Sequence, residues 1–139
     1  KIIVQVYVAL LKQHKNDTPR ELLRTALDML TRALPRRIGD SGVPNWVRWT
    51  LRTLIDEAHN ISQTVHVWNL IIRHADVFYP WKAKFITQMV HSLNRLGLAH
   101  TRSSSASEHR RVALDIAALV VKWQARYVDE QAALCRYGR

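Results

Sequence analysis

Thr18-Pro19-Arg20-Glu21-Leu22-Leu23-Arg24-Thr25-Ala26-Leu27-Asp28-Met29-Leu30-Thr31-Arg32-Ala33-Leu34-Pro35 reads as a helix with both ends written into it. Thr18 offers a capping hydroxyl, Pro19 stands where a missing N–H costs nothing, and Glu21 completes a T-x-x-E capping box. Leu23, Ala26, Leu27, Leu30, Ala33 and Leu34 then recur at spacings of three and four, giving one apolar stripe that Pro35 stops.

The same punctuation continues toward the C-terminus. After a loop over 36–42, Pro44 opens a helix whose Val47, Leu51, Leu54, Ile55 and Ala58 share a face, with Arg48, Arg52 and Asp56 on the other. A break at His59-Asn60 leads to a helix striped by Ile61, Val65, Trp68, Ile71, Ile72 and Ala75, which should end by Tyr79 because Pro80 disfavours helical geometry before it. Pro80 opens the next, striped by Phe85, Ile86, Met89, Val90, Leu93 and Leu96, with Gly97 as a left-handed stop. A Ser-rich loop, 98–107, offers Ser105 and Glu108 as a second capping box for the longest helix, striped by Val112, Ala113, Ile116, Ala117, Val120, Trp123 and Tyr127.

Toward the N-terminus the pattern is ambiguous. Ile2, Val4, Val6 and Val8 alternate like a strand, whereas Ile3, Tyr7, Leu10 and Leu11 fit a helix face. The segment's length and its helical successors favour a helix buried on more than one side. The expected fold class is therefore all-α: helical hairpins over roughly 1–34, 44–78 and 80–134, stacked as a HEAT-type α-solenoid segment, with a compact six-helix bundle as the rival. The opening within an apolar element and the close on Cys135-Arg136-Tyr137-Gly138-Arg139 read as 1–139 being one piece of a larger chain.

The chain has 139 residues, 47% of them hydrophobic, enough for one buried core, and only 4 Gly and 4 Pro, too few for an all-β chain of many turns. A formal net charge of +10 raises nucleic acid or another anionic partner, although little of the basicity is clustered. The single cysteine, Cys135, excludes an intrachain disulfide framework. No apolar run approaches the roughly 20 residues that span a bilayer, so no membrane partner is expected.

Catalytic patterns are missing. None of the seven histidines has a histidine three or four positions away, so no metal pair shares a helix face, and Cys135 has no base suggested beside it. Asp56 and Glu57 are sequence neighbours and diverge on a helix. Gly39 and Gly42 lack a phosphate-loop context, and His109-Arg110-Arg111 has no Asp where a kinase catalytic loop needs it. No catalytic residue, metal or cofactor is expected. The five tryptophans, at 46, 49, 68, 81 and 123, lie on or beside apolar stripes and are assigned to packing. Arg32, Arg36, Arg37, Arg48 and Arg52 form the best basic cluster and the candidate partner surface.

Several strings, taken in order, carry a resemblance: Gln5-Val6-Tyr7-Val8-Ala9-Leu10-Leu11-Lys12, Ala33-Leu34-Pro35-Arg36-Arg37, Asp56-Glu57-Ala58-His59-Asn60-Ile61-Ser62-Gln63, Ile72-Arg73-His74-Ala75-Asp76-Val77-Phe78-Tyr79-Pro80, and Glu108-His109-Arg110-Arg111-Val112-Ala113-Leu114-Asp115 with Val121-Lys122-Trp123. Together they resemble the TRRAP family, the giant transcription-associated relatives of the phosphatidylinositol-3-kinase-like kinases. Gln124-Ala125-Arg126 departs from the more acidic continuation of that family. The resemblance implies a HEAT-type solenoid with a helical first segment. It also implies a catalytically dead kinase-like domain elsewhere and a nuclear scaffold role in SAGA-type histone acetyltransferase complexes. The partners so implied are subunits of those complexes and acidic transcription activators. A basic nucleic-acid-binding module, or a segment of an active kinase relative, is the alternative.

Overall fold

The computed structural model describes residues 2–13, 19–35, 42–97 and 106–138. Seven helical elements carry nearly all of them: α1 (Ile2–Lys12), α2 (Arg20–Ala33), α3 (Asn45–Asp56), α4 (Ile61–Arg73), the single turn α5 (Ala75–Phe78), α6 (Lys82–Gly97) and α7 (Ala106–Tyr137). A 3-10 turn, Tyr79–Trp81, joins α5 to α6.

The ambiguous first segment is a helix. Among the described residues its strand-like alternation has no partner strand, and Tyr7 and Leu11 are its buried positions. Thr18 and Ser105, the expected capping residues, lie outside the described residues, as does the Ser-rich stretch 101–105. Asn60 does cap α4, its Oδ1 accepting from Gln63 N at 3.3 Å. Gly97 ends α6 without the expected left-handed conformation; among the described glycines only Gly42 has a positive φ, 72°. The absent side chain of Gly97 faces α7, where an added Cβ would stand 3.8 Å from Ala113 Cβ.

The expected fourth helix, running to Tyr79, is broken at His74, the junction of α4 and α5. His74 turns its ring to Asp28 of α2, with Nε2 and Oδ1 2.8 Å apart, and Trp123 Nε1 of α7 donates to Ala75 O at 3.1 Å. Tertiary hydrogen bonds thus take hold where the periodicity alone continued the helix.

Packing builds a two-layer ladder. In one layer α1 lies against α3 and α3 against α6; in the other α2 lies against α4 and α4 against α7. Across the layers α1 meets α2, α3 meets α4, and α6 meets α7 most extensively. That succession of stacked helix pairs is an α-solenoid, not a closed bundle.

Between the layers runs a continuous core. Trp46, Phe78, Trp81 and Phe85 meet edge-to-face, with centroids 5.3 to 5.6 Å apart. Buried indoles fix the neighbours: Trp46 Nε1 donates to Pro35 O at 2.9 Å and Trp68 Nε1 to Ser92 Oγ at 2.7 Å. Thr31, Thr50, Thr53 and Thr64 point inward, and each hydroxyl donates to the carbonyl four residues earlier, so the core takes them without orphan donors.

Candidate functional site

Of the five arginines proposed from the sequence, Arg48 and Arg52 stand exposed one turn apart on α3, and Arg32 is exposed in the last turn of α2. Arg36 and Arg37 lie outside the described residues. The inward phase of α3 is set by Trp46, Val47, Thr50, Thr53 and Leu54, which leaves positions 48, 49, 52 and 56 facing solvent.

At the centre of this surface is Trp49. Its side chain remains 39% exposed while its ring is flanked by Lys12 Nζ at 5.4 Å and the Arg52 guanidinium at 5.5 Å. Arg52 Nε also donates to Asp56 Oδ2 at 3.2 Å, an exposed pair one helical turn apart. Lys12, Arg52, Thr53, Asp56, Glu57 and Gln63 border a depression of about 160 Å³. Gln63 Nε2 donates to Leu11 O, so α4 closes the end of α1 and holds Lys12 over α3.

Sequence reasoning missed Lys12 and Trp49 as parts of this surface. Trp49 carried a signal, because it falls between Arg48 and Arg52 and off the buried stripe. Lys12 carried none, since it arrives from another helix.

Two further polar clusters brace the ladder. Asp28 Oδ1 accepts from Arg73 Nε at 3.0 Å as well as meeting His74. Burial opposes its ionisation, but the hydrogen bonds from His74 and Arg73 prevail and hold its carboxyl below the usual range. At the other end of α5, Tyr79 Oη donates to Glu130 Oε2 at 2.7 Å, and its ring is sandwiched by Arg126 at 3.9 Å and Lys82 at 4.1 Å. Burial, then the Glu130 carboxylate, raises the Tyr79 phenol; the same hydrogen bond, aided by Arg126, lowers Glu130.

Among the described residues no three His, Cys, Asp or Glu side chains gather as metal ligands. His109-Arg110-Arg111 lies in the first turns of α7, a helix and not a loop. Cys135 is exposed. Among the described residues no helix is long and apolar enough to cross a membrane.

A two-layer helical ladder with a basic, aromatic-centred outer surface defines a solenoid segment of the HEAT type. Its family is shown by sequence comparison: the Tra1 HEAT repeat ring region matches residues 1–134, and the chain belongs to that family. The human transformation/transcription domain-associated protein is 35% identical over 131 residues, 94% of this chain and 3% of the human protein. The Drosophila melanogaster transcription-associated protein 1 is 34% identical over 130 residues, again 94% of this chain and 3% of the relative. The Saccharomyces cerevisiae SAGA complex/NuA4 acetyltransferase complex subunit TRA1 is 29% identical over 130 residues, 93% of this chain and 3% of its own length. The chain thus spans a small part of the relatives it matches. No solved structure matches it.

Proposed function

We propose that this chain is a non-catalytic scaffold segment of a nuclear transcription coactivator subunit of SAGA-type histone acetyltransferase complexes, and that its outer basic surface receives acidic activators and complex subunits. Family membership supports the setting, since a relative's name places it in the SAGA and NuA4 complexes. Hairpins over roughly 1–34, 44–78 and 80–134 are the stacking units of this reading. The kinase-like domain it assigns to the whole protein, outside this segment, is inactive.

The observation that carries the partner surface is Trp49, half-open between Lys12 and Arg52 and next to Arg48 on the same helix. An acidic amphipathic peptide needs cations for steering and one apolar anchor, and this surface offers both. Reversing Arg32, Arg36, Arg37, Arg48 and Arg52 to Glu should weaken binding of an acidic activation-domain peptide at least about tenfold, since rim charges act through complementarity. Unchanged affinity with the helical content intact would remove the ridge from the account.

The net charge of +10 favours a second reading, a nucleic-acid-binding module. Duplex DNA binding that is tight at low salt and falls steeply with added salt would support it, and no measurable binding at low salt would exclude it.

A further inference from the structure

We infer that the depression beside Trp49 is a pocket for one cationic side chain, the lysine or arginine of a partner whose acidic residues lie on the arginine ridge. This deepens the reading of that ridge as a surface for acidic partners, and rests on it.

The pocket lies where three helices meet. Lys12 ends α1, Arg52, Thr53 and Asp56 belong to the last turns of α3, Glu57 is its C-cap, and Gln63 is in the first turn of α4. Its walls are mostly committed to one another. Thr53 Oγ1 donates to Trp49 O at 2.8 Å, Arg52 Nε donates to Asp56 Oδ2 at 3.2 Å, and Gln63 Nε2 donates to Leu11 O. Glu57 is the exception: among the described residues its Oε2 is buried and accepts no hydrogen bond.

A buried carboxylate oxygen without a donor carries a desolvation cost that a ligand's N–H would remove. The end of α3 adds to this demand for positive charge. It has no basic residue in its last turn, and instead Asp56 and Glu57 stand at the negative end of the helix dipole, where a cation is favoured. Lys12 does not meet the demand. Its ammonium lies 5.4 Å from the centre of the Trp49 ring and forms no ion pair among the described residues.

The same walls exclude other occupants. An anion would face Glu57 and the helix C-terminus. A divalent cation needs about six oxygen ligands, whereas Asp56 is paired with Arg52 and no three acidic or imidazole side chains converge among the described residues. The volume, about 160 Å³, holds a side-chain head and not a folded segment. An ammonium or guanidinium fits: it donates a charge-assisted hydrogen bond to Glu57 Oε2 while its methylene stem lies toward the exposed Trp49. Glu57 follows Trp49 on α3 by roughly two turns, about 12 Å at 1.5 Å per residue. In a partner helix laid along α3, the basic residue therefore falls about two turns from the apolar residue that covers Trp49.

The test titrates the full-length polypeptide carrying this segment with a labelled acidic amphipathic peptide. One lysine, or one norleucine as its uncharged control, is walked through successive positions of the peptide. At one position lysine should bind at least about tenfold tighter than norleucine, as expected for a charge-assisted hydrogen bond. Glu57→Gln, which keeps the shape of the side chain, should remove that advantage and leave the norleucine peptides unchanged. A lysine advantage at no position, or one that persists in Glu57→Gln, would overturn the inference. A second measurement needs no peptide: with n-butylamine and a water-soluble carbodiimide, amide formation at Glu57, read by mass spectrometry, should saturate with amine concentration. At the exposed Asp129 it should rise in proportion. Absence of binding by either peptide series would overturn the reading of the ridge. The butylamine result then decides the pocket separately, saturation supporting it and proportional labelling overturning it.

Discussion

Asp28 draws three helical elements together through one carboxylate oxygen, since Arg73 ends α4 and His74 begins the break before α5. Its folded acidity is stronger than usual, so its stabilisation is complete above the ordinary carboxylate range and is lost as pH falls through the folded value. Asp28→Asn should cost about 1–2 kcal/mol at neutral pH, a charged hydrogen-bond pair discounted for partial exposure. The difference in urea midpoint between the wild type and this variant should shrink as pH falls below about 4, where the unfolded carboxyl begins to take up its proton, and continue to shrink until the folded carboxyl is protonated at lower pH. A difference that stays constant to pH 2 would show that charge is not the cause. Tyr7 poses another residue-scale question. Thr50 Oγ1 spends its proton on Trp46 O at 2.8 Å, so the buried Tyr7 Oη, 2.7 Å away, donates to it. Burial keeps that phenol protonated far above its ordinary range. Thr50→Val strands the buried phenol and should cost about 1–3 kcal/mol, more than the roughly 1 kcal/mol of Tyr7→Phe, which removes the donor itself. Chemical denaturation of the two variants tests that order.

At the scale of elements, helix starts and stops were legible wherever Pro or Asn marked them, as at Pro44 and Asn60. Burial was less legible, because a stripe defines a phase and not the width of the contact. Ile55, Ile86, Val90, Val120 and Tyr127 belong to expected stripes yet stay largely exposed, whereas Leu119, off the expected stripe of α7, is buried. The break at His74 was hidden for another reason: its partners Asp28 and Trp123 lie more than forty residues away on either side. Beyond Trp123 the described part of α7 buries no residue, and Arg126, Tyr127 and Glu130 tie it back to Asp76, Tyr79 and Lys82. Helical stability in proteins comes mostly from tertiary packing, so amide exchange in the 139-residue chain should be slow over 112–123 and faster after Glu130. Glu130→Ala should move the fast boundary toward Trp123. Uniform protection to Tyr137 would mean that the helix end needs no such tie.

The whole molecule was legible as a solenoid because helix lengths and apolar faces are local facts that the ladder simply stacks. The proposed partner surface was legible only in part: Arg48 and Arg52 were visible as a four-residue step, but the second cation beside Trp49, Lys12, comes from α1. This composite origin gives the surface two separable physical components. Charge steering acts over about a Debye length and is screened by salt, whereas burial of an indole is nearly indifferent to it. Affinity for an acidic activation-domain peptide should therefore fall with salt but level off above zero. Arg48→Glu with Arg52→Glu should flatten that salt dependence, while Trp49→Ala should lower affinity about tenfold at every salt concentration, as expected for loss of an aromatic hot spot. A nucleic-acid partner would behave otherwise, since its affinity is set mainly by counterion release and would keep falling linearly with the logarithm of salt, with a slope that each lost arginine reduces by about one. Titrations of the wild type and both variants at several salt concentrations, read by fluorescence anisotropy of the peptide, distinguish the two. A Trp49→Ala variant with wild-type affinity would leave the ridge without its anchor.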